Sequence, residues 1–441
     1  MSNDAQGRGK VRKWQVAAVA TAATLVMAGC SSSSGSPAAS GSSGTSAAAT
    51  NQPVTLTFSQ WWAPEMPSGA LQGLMDEFHK ENPNITVKLI SAPFSSLQTQ
   101  TISEAASGTL PDVVGLDGAW VNPLYKQGAL LNLTTAMKNA NYDPKDLASQ
   151  VGYSGSTYMI PVVNFVYPLF TNDAILAKAG ISKPPTTWSE FAADAKKISQ
   201  SGAAKGWVVP LSTTNPNGVQ NDILSWAWAS GGSMLKNGQP NLTGNPDVTG
   251  AVNMVKDLVQ SNAVLPGANA LQETDKVTNF INGRVGMMID SLAHITTITK
   301  GNPNLKFSVS AQPVKDGYTG KPGILTASWG IGISAKTQHA ADAWKLVQFL
   351  MSQTENSKLS TLANGFPGNS TSTPDFTGAD PHFQQAFAIY QKSTPVNEFV
   401  GLPAADQLMT TFLTEFQKTV AGQESTSAML ANVQAAWQKQ F

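Results

Sequence analysis

From Pro53 onward the chain alternates short β-rich runs with amphipathic helical ones, and that order restricts the possible folds more than any other feature of its 441 residues. "VTLTFSQWW" (Val54–Trp62) reads as a strand, and "SGALQGLMDEFHKENPN" follows with Leu71, Leu74, Met75 and Phe78 at helical spacing until Asn82-Pro83 stops it. "ITVKLISA" is the next strand, "LQTQTISEAASG" the next helix and "PDVVGLD" the third strand. Strand–helix–strand order predicts an α/β architecture with parallel pairing, whose ligand edge lies at the carboxyl ends of the strands. That edge falls at Gln60–Pro64 and Gly115–Trp120.

The N-terminus carries a different signal. Arg8, Lys10, Arg12 and Lys13 precede an apolar stretch from Trp14 to Met27, a length that suits an export signal better than a membrane span. Ala28 and Gly29 then lead into Cys30, the sole cysteine. The segment resembles a bacterial lipobox, with Met27 where leucine is usual. The resemblance implies cleavage after residue 29 and lipidation at Cys30, where more than one acyl chain gives stable anchoring. Residues 30–52, rich in Ser, Ala and Gly, then form a flexible spacer. A folded part without thiols excludes disulfides, cysteine nucleophiles and zinc–cysteine sites. Removing residues 1–29 leaves 24 basic against 27 acidic side chains and no Lys/Arg run, a composition unsuited to nucleic acid. No later apolar run approaches the roughly 18 residues of a bilayer span.

Several stretches together resemble the sugar-binding family of extracellular solute-binding proteins that serve ABC importers, maltose-binding-protein-like in type. They are the strand ending in "QWW", "FHKENPNITV", "ASGTLPDVVGLD", "LYKQGALLNL", "YMIPVVNFVYPLFTNDAILAKAGISKPPTTWSEFAADAKKI", "FINGRVGMMIDS", "ASWGIGIS" and "AADAWKLVQFLMSQ". The resemblance implies a two-lobed, type II periplasmic-binding-protein-like α/β fold, each lobe a mostly parallel sheet flanked by helices and joined by crossing segments. Residues 53–162 and 332–372 would form lobe 1, and 163–331 with 373–441 lobe 2. The crossings are expected at Val162–Phe165, near Trp329–Ile333 and after Pro367.

A sugar offers hydroxyls around a ring with weakly apolar faces, so its site combines aromatic planes with hydrogen-bonding groups. Eleven tryptophans are available. Trp61 and Trp62 end the first strand, where alternation sends one inward and leaves the other at the ligand edge; Gln60 and Glu65 flank them. Asp117 and Trp120 follow the third strand. Asn164 is a polar residue inside an apolar crossing run and needs a partner, in the hinge or on a ligand. Tyr167 lies three residues on. Of the pair in "SWAWASGG", Trp226 is the expected contact and Trp228 the core residue. Asp290 ends a later strand, and Trp329 lies at the return crossing. Asn369 stands near the place after "NGFP" where the family often has arginine.

Motifs for acyl, phosphoryl, dinucleotide and metalloprotease chemistry are missing from the sequence. The four histidines are far apart, so neither a metal nor a cofactor is expected. A glycoside hydrolase would need two carboxylates, for which Asp117 and Asp290 are the available pair. The expectation is therefore a non-enzymatic, monomeric, lipid-anchored extracytoplasmic receptor. It would capture a mono- or oligosaccharide and pass it to an ABC permease. A glycerophosphodiester is the alternative cargo; Arg284, the one arginine beyond the leader, argues against it.

Overall fold

The computed structural model describes residues 52–441. The leader, Cys30 and nearly all of the spacer lie outside the described residues.

Two sheets organise the chain. The larger runs in the order Phe366–Pro367, Ser156–Val166, Gly323–Ile333, Val113–Leu116, Val54–Gln60, Ile85–Ser91. Val54–Gln60 pairs in parallel with both Ile85–Ser91 and Val113–Leu116, as strand–helix alternation requires. The two eleven-residue strands Ser156–Val166 and Gly323–Ile333 run antiparallel to each other, and the second also runs antiparallel to Val113–Leu116. The smaller sheet has the order Phe307–Ser310, Leu169–Asn172, Val285–Ile289, Lys205–Trp207, with two antiparallel pairings and one parallel. Both sheets are mixed. Parallel pairs join strands linked through helices, among them Gly323–Leu325 with Thr394–Val396.

The chain leaves the larger sheet at Tyr167-Pro168, returns over residues 311–322 and departs again after Pro367. The borders expected at 162 and 332 fall inside the two long paired strands. Val162, Val163 and Val166 are fully buried there, as a central strand covered on both faces should be.

Local sequence rules set the helix boundaries. Helix Trp188–Gln200 starts at Thr187, whose hydroxyl accepts from the Glu190 N–H, while Glu190 Oε2 accepts from the Thr186 N–H at 2.7 Å. Asn245 caps Pro246–Gln260 by accepting from the amides of Asp247 and Val248. Among the described residues, no helix is long and apolar enough to cross a membrane.

Candidate functional site

The end of strand Val54–Gln60 builds the first wall. Gln60 is fully buried; its Oε1 accepts from the Ala63 N–H at 2.9 Å and its Nε2 donates to Ser91 Oγ at 2.7 Å. The expected ligand partner Gln60 is thus a turn residue, its amide spent on holding the chain as it bends. The bend changes the fate of both tryptophans. Strand alternation stops at Gln60 and the chain coils into the short helix Trp62–Glu65, so Trp61 and Trp62 enter the same aromatic cluster instead of parting. Trp62 lies nearly parallel to Trp329, centroids 5.5 Å apart, and meets Phe58 edge-on at 5.2 Å. Trp61 contacts Phe94 and Trp120, each at 5.2 Å, and Phe165 closes on Trp329 at 5.2 Å. Trp61, Trp62, Trp120 and Trp329 therefore gather in one wall, but at 3%, 0%, 2% and 5% exposed their rings pack on one another and belong to the core, a correction to the expectation that they face a ligand. Trp62 Nε1 is buried with no partner in it.

Glu65 and Asp117 stand at the edge of this wall. The Glu65 side chain reaches solvent, yet surrounding protein strips enough hydration to push its carboxyl up to about 7, against the opposing pull of His294 and a hydrogen bond with Trp329. Asp117 caps the turn at Gly118–Trp120 by accepting from the Ala119 N–H at 2.8 Å. Loss of hydration raises its carboxyl to about 6; the Ala119 bond opposes this and Asp406 adds to it. Glu65 also gives a pH prediction. It holds its proton more firmly folded than unfolded, so its stabilising contribution is complete below about pH 4.5 and is lost as the pH rises through about 7. Across that window the urea midpoint of the wild type should fall relative to that of Glu65→Gln; parallel pH profiles would refute the assignment.

At the crossing, Asn164 Nδ2 donates to the Pro367 carbonyl at 3.2 Å and Oδ1 accepts from Ser328 Oγ at 2.8 Å. Of its two expected roles, hinge and ligand contact, these bonds serve the hinge: they tie together three strands where the chain passes between lobes. Asn369 is likewise engaged, donating to the Met351 carbonyl at 2.8 Å and accepting from Thr371. Tyr167 is half-buried. Burial pushes its hydroxyl far above the usual phenol range, with Glu273, Asp290 and Asp117 adding to the effect and Lys276 opposing it.

The second wall contains a network that the sequence did not reveal. Lys276 is fully buried in helix Glu273–Ile281. Its Nζ donates to Glu273 Oε2 at 2.8 Å, Asp222 Oδ2 at 3.1 Å and the Ile289 carbonyl at 2.7 Å. Asp290, expected at the cleft, is buried beside this group, its Oδ1 accepting from the Ser291 N–H at 2.7 Å and facing His294 Nδ1 at 3.2 Å. Burial would raise the Asp290 carboxyl, but His294 and Lys276 hold it below the usual range, and Asp290 in turn raises the His294 imidazole against the effect of burial. A lysine in the same helical face as Val277 and Phe280, and a carboxylate in register with Val219, Ile223 and Trp226, were the available signals. Trp226 itself is a correction. It is fully buried among Trp188, Phe191 and Trp207, and its Nε1 donates to the Asp222 carbonyl at 3.1 Å. Its neighbours are the helices and sheet of lobe 2, so it belongs to that core alongside Trp228.

One loop spans the two walls. Glu398 is fixed in lobe 2 by Trp228 Nε1 at 2.8 Å, the Met234 N–H at 2.7 Å and Ser233. Three residues later the Gly401 carbonyl accepts from Tyr153 Oη at 2.8 Å and Asn122 Nδ2 at 3.4 Å, and the Gly401 N–H donates to the Gly118 carbonyl at 3.1 Å. Gln98 adds a bond to Asp406. A Cβ at Gly118 would lie 2.9 Å from both methyls of Val400, so a side chain at 118 would force the loop tip to shift. Gly118→Leu is expected to wedge the lobes apart, enlarging the radius of gyration in solution scattering and weakening cargo affinity about tenfold with little change in unfolding. Unchanged scattering with unchanged affinity would show that the contact does not govern closure.

The model of the bacterial extracellular solute-binding protein family matches residues 63–356. The chain belongs to that family. Among relatives of this solute-binding protein, a binding protein of Brucella abortus (strain 2308) is 26% identical over 298 residues, which cover 66% of this chain and 71% of the relative. Two solved structures share its fold. Maltose-bound MalE3 of T. maritima has a TM-score of 0.71 at 20% identity, over 88% of this chain and 100% of the other. UgpB of Mycobacterium tuberculosis, in complex with glycerophosphocholine, has a TM-score of 0.72 at 20% identity, over 87% and 98%.

As in its family, the role of this solute-binding protein is capture outside the cytoplasm as part of an ABC transport system. Of the carboxylates offered for hydrolysis, Asp117 caps a turn and Asp290 meets His294 and the Ser291 N–H. Among the described residues, no group of three or more His, Cys, Asp or Glu side chains is arranged to hold a metal ion.

Proposed function

We propose that the protein is the lipid-anchored receptor of an ABC importer, that it binds a carbohydrate without altering it, and that it works as a monomer delivering its cargo to a membrane permease. One finding carries the cargo assignment: the chain belongs to the extracellular solute-binding family, and a maltose-bound protein, MalE3 of T. maritima, shares its fold. Near the crossing the His294 imidazole lowers the Glu65 carboxyl against the effect of burial, and Glu273, Asp290 and Asp117 add to the rise of the Tyr167 hydroxyl. Groups there that water reaches, Glu65, Asp117 and Tyr167, suit the hydroxyls of a sugar. The solute would favour the state in which both lobes touch it.

A glycerophosphodiester is the second reading, raised by the glycerophosphocholine complex of UgpB. It needs positive partners for a phosphate. Here Arg284 sits in the turn after helix Glu273–Ile281, 3.4 Å from Asn279 Oδ1, and Lys276 is already engaged by two carboxylates. A thermal-shift panel of sugars and glycerophosphodiesters, with product analysis for turnover, tests the reading. Stabilisation by sugars without products supports it, and stabilisation confined to phosphodiesters overturns it. Anchoring rests on the lipobox-like segment: Cys30→Ser should release the protein into the medium and abolish fatty-acid labelling, whereas retained labelling would refute Cys30 as the site.

A further inference from the structure

A polar groove lies at the outer end of lobe 2, away from the cleft. Asp290 follows strand Val285–Ile289 on the cleft side, and the groove lies at the opposite end of that strand, roughly 15 Å away at about 3.3 Å per residue. It encloses about 290 Å³, and Asn172, Lys178, Gly283, Asn302, Asn304 and Lys306 stand in its lining. Strand ends build it. Asn172 closes Leu169–Asn172, Lys306 precedes Phe307–Ser310, and the two strands pair antiparallel with Asn172 opposite Phe307. Lys178 comes from the end of helix Asp173–Lys178.

Asn172 is the informative residue. It is 3% exposed, and its Oδ1 accepts from the Ile175 N–H at 3.2 Å, which fixes the oxygen end of the amide. The other end, Nδ2, carries two protons that meet no acceptor among the described residues. A buried amide on the wall of a groove, its oxygen spent and its protons unspent, calls for an acceptor from outside. Asn302 is differently placed, for its Oδ1 accepts from the Asn304 N–H and its Nδ2 donates to the Ile281 carbonyl, each at 3.2 Å. Charge points the same way. Residues 172–178, 283–284 and 300–306 hold Lys178, Arg284, Lys300 and Lys306 against one carboxylate, Asp173. All four cations are exposed, and none is in an ion pair among the described residues. In a chain with 24 basic against 27 acidic side chains beyond the leader, that is a local reversal of sign. Ammonium groups beside an unspent amide suit an anion with oxygens on several sides, as a phosphate group has.

We infer that this groove is a binding site for a phosphate group, separate from the cargo cleft and independent of what the cleft carries. That chemistry has two sources, a free phosphate compound or a phospholipid headgroup of the membrane to which the lipid anchor proposed above would tether the protein. The probes tell them apart. Calorimetry at low ionic strength with inorganic phosphate and glycerol 3-phosphate covers the first. Co-sedimentation of the Cys30→Ser protein with vesicles of phosphatidylcholine, alone or in equal mixture with phosphatidylglycerol, covers the second. Binding should weaken about tenfold in Lys306→Glu and in Asn172→Asp, which keeps the capping oxygen while removing the amide donors. Lys236→Glu makes the same charge change elsewhere on lobe 2, on the hairpin of Leu235–Lys236 with Gln239–Pro240, and should leave binding unchanged. The unfolding midpoints of both lysine variants should match the wild type. Response to the soluble probes assigns a free phosphate, response to the mixed vesicles alone assigns a headgroup, and either supports the site. No response to any probe overturns it, and so does binding that falls as far in Lys236→Glu as in Lys306→Glu. The carbohydrate reading of the cleft has its own panel and stands or falls separately.

Discussion

Lys276→Met should lower stability by about 3–5 kcal/mol at neutral pH, because it strands buried carboxylates that had shared one cation. Removing either member of a buried pair costs more than the pair contributed, since the survivor remains desolvated. Asp222 bears most of that cost: it is fully buried, and burial already holds its carboxyl well above the usual range despite Lys276. Acidification should therefore recover part of the loss in the variant, as protonation neutralises Asp222. A second change, Lys276→Met with Asp222→Leu, should recover more by removing the charge altogether. Urea unfolding across a pH series checks all three statements. A loss below about 1 kcal/mol would mean that Lys276 is not the centre of the network.

Trp226→Ala should be comparably damaging, by about 3–5 kcal/mol, with no specific effect on binding by the molecules that remain folded. The indole is enclosed by Trp188, Phe191 and Trp207, and its N–H is taken by the Asp222 carbonyl. Its removal leaves a cavity that three large rings cannot refill without leaving their own positions. Unfolding midpoints paired with titration of a sugar found in the panel separate the two effects. Weakened binding at unchanged stability would return Trp226 to the cleft.

These two residues also show what can be read from one sequence. The alternation that gave the α/β architecture is local, since each strand or helix declares itself within about ten residues; the Thr187–Glu190 cap is local as well. The aromatic wall was half legible. Trp61, Trp62 and Trp120 were identifiable from their places after strand ends and Trp329 from the return crossing, but the gathering of Trp61 and Trp62 depended on the Gln60 turn, which a strand pattern running through Trp62 conceals. The Lys276 network was hidden for a different reason. Asp222 and Lys276 are 54 residues apart, and each taken alone is a charged residue interrupting an apolar helical face. Only packing shows that the two interruptions meet. Trp226 was misread because two tryptophans two apart differ in face, while nothing local says that both faces are covered.

The clasp between lobes has a consequence for how the receptor can change over time. Its acceptor is the Gly401 carbonyl, held by Tyr153 and Asn122, and its donor is the Gly401 N–H. A main-chain carbonyl is present whatever residue is encoded, so single-codon variation can erase Tyr153 or Asn122 but not the group that both of them grip. Drift at the surface should then alter how firmly the halves meet in small steps, with outright loss of the grip requiring the loop beyond Glu398 to be shortened or displaced.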